Sequence, residues 1–90
     1  MSSKSISIQV EGRVQRVGFR YYVYRLASEL GVKGFVRNQP DGSVYVEAET
    51  DNDHLNIFVD HCKKGPPQSN VQNIKISEIP IKNYTDFKIY

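Results

Sequence analysis

The chain has 90 residues, a formal net charge of +2, 24% charged and 39% hydrophobic residues, the balance of one ordinary globular domain with no composition bias toward nucleic acid or a membrane surface. A single cysteine, Cys62, excludes an internal disulfide and a cysteine-built zinc site, so a reducing, cytoplasmic setting is expected. No stretch approaches the ~18 apolar residues of a membrane span, and Met1-Ser2-Ser3-Lys4-Ser5-Ile6 lacks the apolar run of a signal peptide.

Ile6, Ile8 and Val10 alternate with Ser7, Gln9 and Glu11, a period of two that predicts a first strand with one buried face. Next comes Gly12-Arg13-Val14-Gln15-Arg16-Val17-Gly18-Phe19-Arg20, bracketed by two glycines. Glycines free the backbone to take positive φ and to aim successive N–H groups at one point. The loop runs into a helix predicted over 20–30, where Tyr22, Val23, Leu26, Ala27 and Leu30 form one apolar stripe and Gly31 ends it. A helix start attracts anions through its unpaired N–H groups and the positive end of its dipole, and Arg20 adds a planar fork that grips two oxygens. Residues 12–28 hold Arg13, Arg16, Arg20 and Arg25 without one aspartate or glutamate, so the positive field is local.

Val32 to Gln39 reads as a second strand, and Pro40-Asp41-Gly42 is a tight turn into a third, where Val44, Val46 and Ala48 alternate with Tyr45, Glu47 and Glu49. Thr50 with Asp53 resembles a capping box, and Leu55, Phe58, Val59 and Cys62 repeat at helical spacing until Gly65-Pro66-Pro67 stops them. Val71 to Ile79 predicts a fourth strand with Ile74 and Ile76 facing inward, and Phe87 and Ile89 a short last one. The order βαββαβ predicts a ferredoxin-like α+β sandwich, two helices on one face of a mostly antiparallel four- to five-stranded sheet, as one domain over 1–90. Strands one and two then run the same way, which brings Asn38, at the end of strand two, toward the anion loop.

A phosphate held by N–H groups and one arginine is half of a phosphoryl-transfer site; the other half is an oriented nucleophile. The Asn38 amide does not titrate, so it can hold a water in line but cannot deprotonate it. Such a site suits a good leaving group, for instance a carboxylate. On spacing alone a plainer reading stands beside this one: glycines that make a turn, Arg20 in a surface ion pair, and Asn38 serving the hairpin. The loop is not a Walker A sequence, because Gly18 is followed by Phe19-Arg20 instead of Lys-Ser/Thr.

Gly12-x-Val14-Gln15-x-Val17-x-Phe19-Arg20, then Gly34-Phe35-Val36-x-Asn38 and Asp41-Gly42, resembles the acylphosphatase signature, and the resemblance extends over essentially the whole chain. It implies an enzyme that hydrolyses the carboxyl-phosphate bond of small-molecule acyl phosphates with no metal or other cofactor. It also implies that Arg20 binds the phosphate with the loop amides of Arg13, Val14, Gln15, Arg16, Val17, Gly18 and Phe19, and that Asn38 orients the attacking water. Inorganic phosphate is then product and competitive inhibitor, and a monomer that binds neither nucleic acid nor membrane is expected. One departure matters: the family usually has glycine at the position of Arg16. If φ is positive there, a side chain costs ~1–2 kcal/mol.

Other polar residues read as structural. His54 and His61 have no carboxylate-histidine cluster around them and are expected in solvent, Cys62 as a small buried hydrophobe, and Tyr21, Tyr22 and Tyr24 in packing or at a pocket rim. One alternative is a weakened acylphosphatase-like module that binds carbamoyl phosphate or a protein, as in hydrogenase-maturation carbamoyltransferases, which continue into zinc-finger and catalytic regions that are not expected here. A more distant one is an RNA-recognition module. Lys33-Gly34-Phe35 echoes its central-strand motif, but on strand two and without the following aromatic pair.

Overall fold

The computed structural model describes residues 3–90, with elements in the order β1 (Lys4–Arg13), α1 (Phe19–Leu30), β2 (Lys33–Asn38), β3 (Val44–Thr50), α2 (Asn52–Lys64), β4 (Asn70–Ile79) and β5 (Phe87–Ile89). The sheet order is β4-β1-β3-β2-β5. Neighbours are antiparallel except β2 and β5, which run parallel. This is the expected ferredoxin-like sandwich. β1 and β2 flank β3 and share a direction, so the loop after β1 and the end of β2 lie at one edge.

The core forms where the alternating residues Ile6, Ile8, Val10, Val36, Val44, Val46 and Ala48 meet Phe19, Val23 and Ala27 of α1 and Leu55, Phe58 and Cys62 of α2. Burial of these side chains is the main force holding both helices to one face of the sheet. Gly31 ends α1 in the left-handed region at φ 70°, donating its N–H to the Ala27 carbonyl. Among the described residues no helix is long and apolar enough to cross a membrane.

Three details differ from the sequence expectation. The cap of α2 is Asp51, which accepts from the His54 N–H at 3.0 Å; Thr50 is still paired with Lys4 as the last residue of β3 and is not free to cap. Ile76 lies opposite Ile8 and Ile74 opposite Val10, on the helix-facing side, yet Ile76 stays 43% exposed because β4 is the sheet edge and α2 does not cover it. Gly12 belongs to β1, at a bulge, where a Cβ would stand 2.2 Å from the Asn70 carbonyl oxygen; close approach of β4 requires the glycine.

On the other face of the sheet, the segment 80–86 crosses from β4 to β5 over two carboxylates that strand alternation had placed on the wet side. Glu49 accepts from the Ser5 hydroxyl (2.7 Å), the Lys82 N–H (2.8 Å) and the Tyr84 N–H (3.0 Å). Glu47 accepts from Lys82 Nζ (2.9 Å), the Tyr45 hydroxyl (2.7 Å) and the Tyr84 hydroxyl. Burial raises both pKa values, but these donors outweigh it and hold both carboxyls below the ordinary range. The crossing segment fixes β5 against β2 and delivers Tyr90, whose N–H donates to the Val36 carbonyl (3.0 Å).

Candidate active site

Residues 14–18 connect β1 to α1 as a loop anchored at both ends by burial. Val14 is 1% exposed and Phe19 likewise, while Val17 packs against the core. Between these anchors the backbone turns through the left-handed region at Arg16 (φ 61°) and again at Gly18 (φ 77°), the residue before the first turn of α1. Among the described residues, the N–H groups of Gln15, Arg16, Val17 and Gly18 donate to no backbone carbonyl. With the first turn of α1, whose N–H groups also lack intrahelical partners, they leave a run of backbone donors without a partner between β1 and α1.

Gln15 holds this loop in place. Its Nε2 donates to the Gln39 carbonyl at 2.8 Å and to the Ser43 carbonyl at 2.9 Å, tying the loop to the β2–β3 turn. That turn is itself braced by Asp41, whose Oδ1 accepts from the Ser43 N–H (2.9 Å) and hydroxyl (2.6 Å). The hydrogen bonds to Ser43 hold the Asp41 carboxyl below its usual pKa. Asn38, one residue before Gln39, is therefore positioned relative to the loop through the backbone.

A cavity of about 320 Å³ opens between these parts, lined by Val14, Arg16, Gly18, Phe19, Arg20, Tyr21, Asn38, Ile89 and Tyr90. Two arginines and no carboxylate side chain line it, so it favours an anion. Arg20 Nη1 donates to the main-chain oxygen of Tyr90 at 2.5 Å, which orients the guanidinium from the β5 side. Asn38 Oδ1 is buried without a donor among the described residues. A buried amide oxygen left unpaired costs about 1–3 kcal/mol, so the position calls for a bound donor. Of the candidate residues, Arg16, Gly18, Phe19, Arg20 and Asn38 line the cavity together with Val14; Arg13 sits opposite Asn70 on β1, and the side chains of Gln15 and Val17 point elsewhere.

A family model described as Acylphosphatase matches residues 6–89. The chain belongs to the acylphosphatase family. It is 48% identical to an acylphosphatase of Thermotoga petrophila, with 96% of each chain covered. Its fold superposes on the crystal structure of acylphosphatase from Bacillus subtilis with a TM-score of 0.94 at 38% identity, covering 97% of this chain and 98% of that one. T. kodakarensis HypF also contains a similar fold, at 32% identity and a TM-score of 0.85, but 97% of this chain covers only 12% of that one.

Within this acylphosphatase, Arg16 is the informative departure. Its φ of 61° is the left-handed conformation that glycine accommodates freely, as the resemblance led one to expect at this position, so the side chain strains the loop by ~1–2 kcal/mol while placing a second cation on the cavity wall. The contributions of Gln15 and Tyr90 were not read from sequence. The Gln15 clamp had a signal in the Asp41-x-Ser43 turn it grips; Tyr90, 70 residues from Arg20, had none.

The remaining polar candidates are accounted for locally. His54 Nδ1 lies 2.7 Å from Asp51 Oδ2 at the start of α2, and the hydrogen bond from the His54 N–H helps hold Asp51 below the usual carboxylate range. His61 is exposed, and its carbonyl accepts from the Tyr22 hydroxyl at 2.9 Å. Cys62 is fully buried, which pushes its thiol up to about 12 and leaves it unreactive. Among the described residues no group of three or more histidine, cysteine, aspartate or glutamate side chains is placed to hold a metal ion.

Proposed function

We propose that this chain hydrolyses the carboxyl-phosphate bond of acyl phosphates, giving a carboxylate and inorganic phosphate, and that the cavity at the end of β1 and β2 is where it does so. The loop N–H groups from Val14 to Phe19 and the Arg20 guanidinium hold the phosphoryl oxygens and neutralise the charge that develops on them. Asn38 Oδ1 accepts a hydrogen from water and holds its oxygen in line with the phosphorus. Water attacks as the P–O bond to the carboxylate breaks, and its proton passes to a phosphoryl oxygen of the substrate. No histidine, aspartate or glutamate side chain lines the cavity to serve as base, so the good leaving group carries the driving force.

The observation that carries this reading is the unpaired, buried Asn38 oxygen lining the same cavity as Arg20 and the free loop amides. Membership of the acylphosphatase family supports the reaction class. The carbamoyl-phosphate and partner-binding alternative gains nothing from these comparisons, since stand-alone acylphosphatases match over their whole length. The RNA alternative is disfavoured because the Phe35 ring is already engaged by Tyr45, Tyr84 and Tyr90 at centroid distances of 5.9, 6.1 and 5.8 Å. We also propose one domain over 1–90 acting as a cytoplasmic monomer.

The test is ultraviolet detection of benzoyl phosphate cleavage by the purified chain, with and without a chelator. Cleavage unaffected by the chelator and inhibited competitively by inorganic phosphate is the expected result. No cleavage, or inhibition that is not competitive, refutes the assignment of this cavity.

A further inference from the structure

Arg16 has no partner in the fold. Among the described residues only Arg16 and Asn83 take a positive φ without being glycine, and asparagine is a type that visits the left-handed region routinely. Arginine is not, and a strained residue in a ligand-binding loop points to what its side chain does. The Arg16 side chain is exposed, and among the described residues no ion pair holds its guanidinium. Arg20, in contrast, is oriented by the main-chain oxygen of Tyr90, as befits a group that must stand ready for charge developing on the phosphoryl oxygens. An untethered cation beside it suits a contact that varies from one substrate to another.

In-line attack fixes where the acyl group goes. Water bound to the buried Asn38 Oδ1 enters on one side of phosphorus, so the leaving carboxylate departs on the other, toward the exposed residues of the cavity. Apart from Arg20, these are Arg16, Gly18, Tyr21, Ile89 and Tyr90, of which Arg16 alone has a charged side chain. The cavity of about 320 Å³ holds about ten non-hydrogen atoms at ~30 Å³ each. A phosphoryl group and the attacking water fill roughly half of that, which leaves room for the acyl group beside Arg16.

We propose that Arg16 is a specificity-determining residue whose guanidinium pairs with a second carboxylate on the acyl group, so that this enzyme favours monoacyl phosphates of dicarboxylic acids over uncharged acyl phosphates of the same length. An arginine fork matches both oxygens of a carboxylate. The inference rests on the phosphate-site reading given above.

Adipoyl phosphate and hexanoyl phosphate test it, because they differ by a carboxylate in place of the terminal methyl. Comparing the ratio of their kcat/KM values between two proteins cancels the difference in their intrinsic reactivity. Arg16→Gln removes the charge without relieving the backbone, and is expected to lower the adipoyl-to-hexanoyl ratio about fivefold at low salt, while Arg16→Lys keeps most of it. In the unaltered protein the ratio falls with added salt more steeply than in Arg16→Gln. A binding measurement uses the unaltered protein alone: 5-phosphonopentanoate inhibits more tightly than pentylphosphonate and shifts the Arg16 Nε resonance further. If both substrates are cleaved and the ratio is the same in Arg16→Gln, or if the two phosphonates inhibit equally, the role of Arg16 is overturned and the reaction assignment stands. No cleavage of either substrate overturns both.

Discussion

The loop at residues 14–18 and the crossing segment at residues 80–86 use hydrogen-bonding groups in opposite ways. In the loop, N–H groups have no backbone partner among the described residues and Asn38 presents an unpaired acceptor; under the crossing segment, Glu47 and Glu49 each accept three hydrogen bonds. Unpaired groups hold free energy in reserve for a ligand, whereas saturated ones spend it on geometry. The two regions meet at Tyr90, which the crossing segment and β5 deliver to Arg20. Rigidity on one face of the sheet thus orients the guanidinium on the other.

The contrast breaks most sharply at Arg20. Arg20→Gln is expected to lower kcat/KM for benzoyl phosphate by on the order of 10²–10³-fold and to weaken phosphate inhibition, with stability little changed because the side chain is exposed. Steady-state kinetics beside a urea titration reads both. Asn38→Ala removes only the water's anchor, so kcat falls by roughly 10²-fold while inhibition by phosphate stays nearly the same; a parallel loss of phosphate affinity would remove Asn38 from the water-orienting role.

Glu49→Gln probes the saturated region. Its amide nitrogen replaces one of the two oxygens and so faces the N–H of either Lys82 or Tyr84, and the expected cost is about 2 kcal/mol of stability, measured by denaturant unfolding. The pH dependence follows from the same bonds. Glu47 and Glu49 have folded pKa values below their unfolded ones, so their stabilisation is complete above the usual glutamate pKa of about 4.3 and is lost as pH falls through the lowered values. Acid unfolding that is less steep in Glu49→Gln than in the unaltered chain is the expected signature. The smallest effect is at Arg16. Arg16→Gly relieves a positive φ and should raise stability by about 1 kcal/mol at most, while phosphate inhibition weakens by no more than about fourfold, as befits loss of one exposed cation.

How far the sequence could be read varies with the range of the forces involved. The strands and helices followed from alternation and apolar stripes; α1 and β4 differ from expectation by one residue at one end and β2 by one residue at each end. The cap of α2 was misplaced by one residue because Thr50 and Asp51 both have capping side chains, and only the β1–β3 register, which carries Thr50 as a strand residue, separates them. Glu47 and Glu49 alternate with Val46 and Ala48 as solvent-facing residues do; nothing near them in the chain announces the cover supplied from more than 30 residues away. At the site, Arg20, the glycine-bracketed loop and Asn38 were all visible, whereas the Gln15 clamp and the main-chain oxygen of Tyr90 were not.

The amino-acid order by itself determined the elements, their βαββαβ sequence, the local positive charge and the pairing of a donor-rich loop with an asparagine at a strand end, because periodicity and glycine punctuation act between residues a few positions apart. Tertiary structure alone decided that the Asn38 oxygen is buried and unmatched, that Gln15 spans 24 and 28 residues to lock the loop, and that Arg20 is held from 70 residues away. Hydrogen-bond satisfaction depends on which groups the sheet register brings within about 3 Å, and that is a property of the packed chain rather than of any segment in it.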